Sequence, residues 1–312
     1  MKRVLAFVLV LTMALISFGA AVAEEPLRIG VCYCMLSAPA VKVMAEGVNA
    51  KAAEYGMELI ELDAEFDATK QTDQMSSLIS QGVDGIVLNP VDAVSIVSVV
   101  KQAYEAGIPV VMASMDIDES GREYVVSYSG ADDYDVGYNA GEKLAEALGG
   151  EGQVAIIEGQ AGTSATTRRT EGFEDAVADT GIEVVAKLAA DFDTAKAMAA
   201  TEDLLTRYPD IDGIFSQDDT MCVGVVQAMK SMGYTGEDVA VVSYNGSQNG
   251  YDMVKNGDII GTAVQPLTAE GSNAVEALYK AINGEEVEPW LKSEIQVLDA
   301  TNIDDYDTSL LW

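Results

Sequence analysis

The chain contains no histidine and few basic residues. Its 312 residues include 51 Asp and Glu against 18 Lys and Arg, for a net charge of −33 at pH 7. The absence of imidazole excludes Ser-His-Asp and Cys-His catalysis, histidine-bound zinc or haem, and imidazole proton transfer. The shortage of basic residues argues against a nucleic-acid partner, because phosphate backbones require basic patches. Apolar residues make up 49% of the chain and are patterned, which predicts a folded protein rather than a disordered one.

Charge is also absent from a long stretch near the N-terminus. Lys2 and Arg3 precede a run over residues 4–21 without a charged side chain, and residues 21–23 have the small-x-small pattern Ala-Val-Ala. These features predict a signal peptide over residues 1–23, cleaved after Ala23, and export to the periplasm. An uncleaved membrane anchor is the alternative, since the run approaches spanning length.

Cysteine is scarce, with only Cys32, Cys34 and Cys222 in the chain. An odd number leaves at least one thiol without a partner in the chain. Cys32 and Cys34 are expected on one face of a strand, where an i, i+2 pair is poorly placed for a disulfide. We therefore expect buried, unreactive thiols, and the Cys-x-Cys pattern without other soft ligands is too weak to predict a metal site.

Apolar runs of strand length alternate with longer helical patterns along the rest of the chain. Strands are predicted over 28–34, 57–62, 85–88, 109–113, 124–128, 153–158, 183–190, 213–216, 239–243 and 259–264. Helices are predicted between them, including 41–55, 71–80, 94–106, 134–148 and 195–208. Strands that are apolar on both faces and joined by helical crossovers indicate parallel sheets covered by helices. The predicted fold class is α/β, with doubly wound parallel sheets.

An internal repeat indicates two similar lobes. The segment Phe-Asp-Ala-Thr-Lys at 66–70 recurs as Phe-Asp-Thr-Ala-Lys at 192–196, and Val-Asp-Gly-Ile-Val at 83–87 recurs as Ile-Asp-Gly-Ile-Phe at 211–215. The offsets nearly agree, which favours a duplicated unit. No Pro/Gly/Ser-rich linker separates the halves, so we expect a hinge of short strands and a ligand cleft between the lobes. The expected lobes are residues 24–130 with 266–293, and residues 131–265 with 294–312. A final strand is expected over 294–298.

Polar side chains follow the predicted strands, where ligands bind in such sheets. Carboxylates accept hydrogen bonds from hydroxyls, guanidinium groups donate, amides do both, and an aromatic ring covers a C–H face. This mixture suits a polyhydroxylated ligand. For any single Asp or Asn, capping of the next helix is the alternative. The candidate binding residues are Cys34, Ser114, Asp116, Arg169, Phe192, Asp218, Asn245 and Gln265.

At these residues the chain resembles the periplasmic sugar-binding proteins of ABC importers, the ribose/galactose-type group, over essentially all of the mature sequence from residue 27 to about 284. The resemblance is carried by the segments 162–173, 190–193, 215–221 and 242–246, the first of which contains Arg-x-x-Gly-Phe at 169–173. It implies that the five candidates from Arg169 to Gln265 contact ligand in the second lobe. It also implies the type I fold, hinge closure around the ligand, and docking on the membrane subunits of an ABC permease. Related repressors begin with a helix-turn-helix, where this chain has the predicted signal peptide.

The chain departs from the ribose-type pattern in both lobes. Ala40 and Val41 follow Pro39, where two aromatic residues are usual, and Ser114-Met115 replaces an Asp-Arg pair. Asp218 stands where Asn is usual, and Asn245 where Asp is usual. These departures put ribose itself in question and favour a sugar alcohol, a cyclitol or a differently substituted sugar.

The sequence therefore predicts a monomeric, exported solute-binding protein without catalytic residues, cofactor or metal, which delivers a small polyhydroxylated ligand to an ABC permease. A sensor that presents its ligand to a chemoreceptor or sensor kinase remains an alternative. A glycosidase using Asp218 and Asp219 is a further one, as is a phosphate site made by the glycine-rich turn at 159–164 with Arg168 and Arg169.

Overall fold

The computed structural model describes residues 25–308 and 311–312. The predicted signal peptide, residues 1–23, lies outside the described residues. No helix among the described residues has the length and apolar character needed to cross a membrane.

Strands and helices alternate along the described chain, as the sequence pattern predicts. In the first half, β1 to β5 span Arg28–Tyr33, Glu58–Asp63, Gly85–Leu88, Val110–Ala113 and Ser127–Gly130, and α1 to α3 span Pro39–Glu54, Ala68–Gln81 and Val97–Glu105. In the second half, β6 to β10 span Glu151–Glu158, Gly181–Ala189, Gly213–Ser216, Ala240–Asn245 and Gly261–Val264, and α4 to α8 span Asp133–Leu148, Ser164–Val177, Thr194–Arg207, Asp219–Met232 and Gln248–Lys255. The C-terminal part adds α9 (Leu267–Ile282), β11 (Trp290–Lys292) and β12 (Gln296–Leu298).

The described strands form two six-stranded sheets with equivalent strand orders. The orders are β11-β5-β4-β3-β1-β2 and β12-β10-β9-β8-β6-β7. All pairings are parallel except that of β12 with β10. In both sheets the order reverses direction next to the first strand, between β1 and β3 and between β6 and β8, which is the switch point where open α/β sheets bind ligands. The predicted class, two doubly wound parallel-sheet lobes, is confirmed.

Each sheet is buried on both faces because its strand residues alternate between two apolar clusters. In the first sheet Val31, Val87 and Val111 pack under α1 and α9, whereas Ile86 and Met112 pack on the opposite side with α2 and α3. A strand buried on both faces is apolar without interruption, which is why these segments read as continuous apolar runs.

Between residues 25 and 308 the chain crosses between the two sheets three times. After β5 it enters α4, which packs against α5 and the second sheet, and after β10 it enters α9, which packs against α1 and the first sheet. The third crossing lies between β11, in the first sheet, and β12, in the second. Three short, neighbouring crossings are the geometry of a hinge.

Two local predictions are wrong. Tyr124 ends a 3₁₀ helix, Glu119–Tyr124, and β5 begins only at Ser127. Cys32 and Cys34 do not share a face, because β1 ends at Tyr33 and the chain turns. Cys32 packs in the cluster under α2 and α3, and Cys34 packs in the cluster under α1. Both thiols are free and buried, and burial raises the pKa of each to about 12.

Candidate ligand-binding cleft

Residues that follow strands of both sheets line one cavity between the lobes. The space between these residues is about 570 Å³, which includes the open solvent at its mouth. Its lining residues are Cys34, Ala38, Pro39, Ala40, Val41, Met44, Phe66, Asn89, Ser114, Met115, Arg169, Phe192, Asp218, Thr220, Asn245, Gln265 and Leu267.

Contacts across the mouth of the cavity show that the lobes are closed. The amide of Asp116 donates to the Ser164 hydroxyl at 2.8 Å, and the amide of Ala93 donates to the carbonyl of Gly162 at 3.0 Å. Inside the cleft, Gln265 Nε2 donates to Ser114 Oγ at 3.2 Å. These bonds join side chains and backbone of the two lobes, so opening of the cleft must break all of them.

Arg169 is held rigidly inside the second lobe. It lies in α5, and its Nε and Nη2 atoms lie 2.9 and 2.8 Å from the same oxygen of Asp133, while Nη1 donates to the carbonyl of Gln217 at 2.7 Å. Its guanidinium stands 4.3 Å from the ring centre of Tyr244. Burial acts to lower the pKa of Arg169, but Asp133 and Tyr244 raise it, and the net direction is upward. The side chain therefore presents a fixed positive charge to the cavity.

Close packing of α4 on α5 sets the position of Arg169. A Cβ atom at Gly137 of α4 would lie 1.9 Å from the Arg169 carbonyl oxygen, and one at Gly172 of α5 would lie 2.1 Å from the Tyr134 carbonyl oxygen. Only glycine permits this approach. It brings Asp133, at the start of α4, within bonding distance of the guanidinium.

Asp218 lines the cavity and also caps a helix. It follows β8, and its Oδ1 accepts from the amide of Met221 at 2.7 Å at the start of α7. Burial raises its pKa to about 7, against the lowering effect of the Met221 amide, and Asp219 raises it further. The other carboxylate oxygen is not needed by the cap, so capping and ligand binding are compatible here.

Asp219, the neighbour of Asp218, does not line the cavity. Its carboxylate accepts from the hydroxyls of Ser243 and Thr262 at 2.6 and 2.8 Å, and from the amide of Ser247 at 2.7 Å. It therefore ties β9, β10 and the start of α8 together behind the site. The sequence left open that Asp218 and Asp219 act as a catalytic pair. The structure does not favour this alternative, because Asp218 lines the cavity and Asp219 is bonded to residues behind it.

Asn245, Gln265 and Ser114 form a chain of hydrogen bonds along the cavity wall. Asn245 Nδ2 donates to Gln265 Oε1 at 2.8 Å, and Gln265 Nε2 also donates to Glu270 Oε2 at 2.8 Å. Both Asn245 (φ 111°) and Ser114 (φ 61°) have positive φ values, which cost free energy for residues other than glycine and cluster at functional sites. Burial raises the pKa of Glu270 to about 7.

Phe66 and Phe192 face each other from the two lobes, with ring centres 6.4 Å apart. Each is the second of two consecutive residues with positive φ, Glu65-Phe66 and Asp191-Phe192. Sequence reasoning selected Phe192 alone, although the repeat that contains both phenylalanines was the signal that could have identified Phe66. Each ring presents an apolar surface at the cavity.

Of the eight candidates from the sequence, seven line the cavity and one does not. Asp116 lies at the rim, where its carboxylate pairs with Arg122 and its amide bonds to Ser164. It bonds across the closed cleft and is not part of the cavity wall. Cys34 does contribute to the wall. The sequence did not select Met44, Asn89 or Leu267, which belong to no recognisable motif, nor Thr220, although it lies in the segment 215–221 that carries the resemblance.

The two adjacent arginines point to different places. Arg168 is half exposed, pairs with Glu171 at 2.6 Å and lies over the ring of Tyr134, whereas Arg169 is buried. A phosphate site made by both arginines is therefore not formed. Within the part of the chain that the structure describes, no group of three or more Cys, Asp or Glu side chains is arranged to hold a metal ion.

Two doubly wound lobes that close on a cavity at their strand ends define the class of two-lobed ligand-binding proteins. The chain belongs to the periplasmic binding protein family, since the family's periplasmic binding protein domain matches residues 29–286.

Relatives and solved structures agree with this membership over most of the chain. The ribose import binding protein of Bacillus subtilis is 31% identical over 274 residues, covering 88% of both chains. The xylitol-binding protein of Mycolicibacterium smegmatis is 32% identical over 267 residues, or 85% of this chain and 74% of that protein. An ABC transporter solute-binding protein of Bacillus halodurans, solved with myo-inositol, superposes with a TM-score of 0.85 at 29% identity, covering 91% and 98% of the two chains.

Proposed function

We propose that this protein captures a sugar or sugar-like polyol in the cleft, closes around it, and delivers it to the membrane subunits of an ABC permease. The single observation that carries the proposal is the cavity wall of the second lobe. There Arg169, Asp218, Asn245 and Gln265 place donors and acceptors side by side, while Phe192 offers a ring for a C–H face.

The relatives support this ligand class. Two of them are named for ribose and xylitol, and the third was solved with bound myo-inositol; these are a sugar, a sugar alcohol and a cyclitol. One of these relatives is an import binding protein and another belongs to an ABC transporter. Binding followed by release to a permease requires no chemical step, and we propose that the protein carries out none.

We propose that closure moves the two lobes about the three chain segments that connect the two sheets. We take the lobes to be residues 24–130 with 266–293, and residues 131–265 with 294–312. A ligand shifts the equilibrium toward the closed form only by the contacts that it gains there. The rings of Phe66 and Phe192, which line the cavity from opposite lobes, would supply such contacts. We propose that the exported protein acts as a monomer in the periplasm after cleavage behind Ala23.

Titration calorimetry of the mature protein against ribose, xylitol, myo-inositol and further aldoses and alditols tests the ligand class. We expect at least one dissociation constant in the micromolar range or below, together with a decrease in radius of gyration by X-ray scattering. Absence of heat with every compound overturns the proposal. Mass spectrometry of protein from the periplasmic fraction should give a chain that begins at Glu24, and a chain that retains residues 1–23 would contradict the export step.

A further inference from the structure

The two walls of the cavity differ sharply in polarity. Five of the six lining residues of the second lobe are polar, whereas the first lobe lines the cavity with apolar side chains at all but two positions. Val41 and Met44 of α1 and Met115 after β4 are typical of this apolar wall. A ligand that carries hydroxyls all round would meet hydrogen-bonding groups mainly on one side.

The two polar residues of the first-lobe wall are already engaged within the protein. Asn89 is buried, its Nδ2 donates to the carbonyl of Ala113 at 2.9 Å, and its Oδ1 accepts from the amide of Cys34. Ser114 Oγ accepts from Gln265 at 3.2 Å, and its hydroxyl lowers the pKa of Glu270. These bonds leave each side chain only part of its hydrogen-bonding capacity for a ligand hydroxyl buried against this wall.

A hydroxyl that is moved from water to an apolar surface without a new partner is unfavourable, whereas a methyl group in the same place is favourable. The polar second wall has the opposite preference. We propose that the ligand is a deoxy sugar or deoxy polyol, with its hydroxyls facing Arg169 and Asp218 and a methyl carbon packed on Val41 and Met115. This inference rests on the proposed function, whose ligand class it narrows.

The test uses matched pairs that differ only in a terminal methyl or hydroxymethyl group: L-rhamnose with L-mannose, L-fucose with L-galactose, D-fucose with D-galactose, D-quinovose with D-glucose, and L-fucitol with galactitol. Calorimetry with the mature protein should show that the deoxy member of the tightest-binding pair binds about 10- to 100-fold more tightly than its parent, which is the range that an apolar pocket can discriminate. A parent that binds as tightly as its deoxy partner, or more tightly, overturns the inference but leaves the proposed function intact. Failure of every pair and of every aldose and alditol overturns the proposed function instead.

A change of the wall should change the preference. Met115→Gln adds an amide at similar volume, and Val41→Thr adds a hydroxyl at the same shape. Each substitution should reduce the ratio of the affinity for the deoxy compound to the affinity for its parent at least severalfold, because it gives the parent's hydroxyl a hydrogen-bonding partner. Met232→Gln, at an exposed methionine at the end of α7, is the matched control and should leave the ratio unchanged. A ratio that stays at the wild-type value in both wall variants, with thermal melts showing that they are folded, contradicts the assigned orientation.

Discussion

Replacement of Arg169 should weaken ligand binding in two ways, by destabilising the fold and by removing hydrogen bonds to the ligand. The structure suggests variants that separate these two effects. The Arg169 and Asp133 side chains are only 5% and 6% exposed. Arg169→Met leaves the Asp133 carboxylate buried without its partner. Loss of one member of a buried ion pair costs about 3–5 kcal/mol of unfolding free energy, so the single variant should be strongly destabilised.

The double variant Arg169→Met/Asp133→Leu removes both charges. Apolar replacement of a whole buried ion pair is neutral or stabilising by about 1–4 kcal/mol, so its unfolding free energy, measured by urea denaturation, should return to the wild-type value or exceed it. The affinity for ligand should nevertheless stay below the wild-type value. A guanidinium has five N–H groups, and three nitrogens of Arg169 already have one protein partner each. Up to two N–H groups are left for ligand.

Each ligand hydrogen bond to a charged group contributes about 1.5–3 kcal/mol, so the double variant should bind the best ligand of the calorimetric panel at least about tenfold more weakly, and about a hundredfold more weakly if both bonds are lost. Arg168→Met is the matched control, because Arg168 is half exposed and contacts Glu171 and the ring of Tyr134 outside the cavity. Stability and affinity should both be retained. A double variant that is as stable as wild type and binds with wild-type affinity would refute the ligand role of Arg169.

Three further predictions concern other parts of the cleft. Asp218 has its pKa raised to about 7 by burial, so the folded protein holds this proton more tightly than the unfolded chain. Unfolding free energy should therefore decrease as pH rises from about 4 to 7, and Asp218→Asn should reduce that slope in urea titrations at each pH. Phe66→Ala and Phe192→Ala should each weaken binding, with a coupling of about 0.5–1.5 kcal/mol in a double-mutant cycle. Gly137→Ala should lower both the melting temperature and the ligand affinity, because its Cβ would displace the Arg169 backbone.

Each of these predictions has an internal comparison. If the unfolding free energy of Asp218→Asn depends on pH as steeply as that of wild type, a group other than Asp218 takes up the proton. Strict additivity of the Phe66 and Phe192 substitutions would show that the rings do not act together on the ligand. Gly149→Ala is the control for Gly137→Ala, because Gly149 caps α4 at φ 68° with no atom within 4 Å of its Cβ position. It should cost about 1–2 kcal/mol of stability without changing affinity, and an equal loss of affinity in both variants would contradict the role of the α4–α5 contact.

The repeat in the sequence predicted more of the fold than any single motif. Its two copies begin at Phe66 and Phe192, and both adopt the same turn, followed by an aspartate cap. Asp67 accepts from the amide of Lys70 at 2.9 Å, and Asp193 accepts from the amide of Lys196 at 2.8 Å. Such local hydrogen bonds depend on neighbouring residues, so they can be read from sequence.

Other features depend on residues far apart in the chain. Asp133, the partner of Arg169, lies 36 residues before it and belongs to no motif. Asp116 follows a strand as a ligand residue would, yet the chain turns so that its carboxylate meets Arg122 at the rim. Cys34 lies on the opposite side of the sheet from Cys32 only because β1 ends between them.

By itself, the sequence determined the α/β class, the two equivalent lobes and most of the polar residues of the cleft, because apolar periodicity, helix caps and strand ends are properties of short segments. The tertiary structure decided which of these residues share a wall and which are occupied by partners within the protein. Burial and charge pairing arise only when distant segments meet. The contrast between a polar second wall and an apolar first wall, which narrows the ligand class, therefore emerged only from the folded chain.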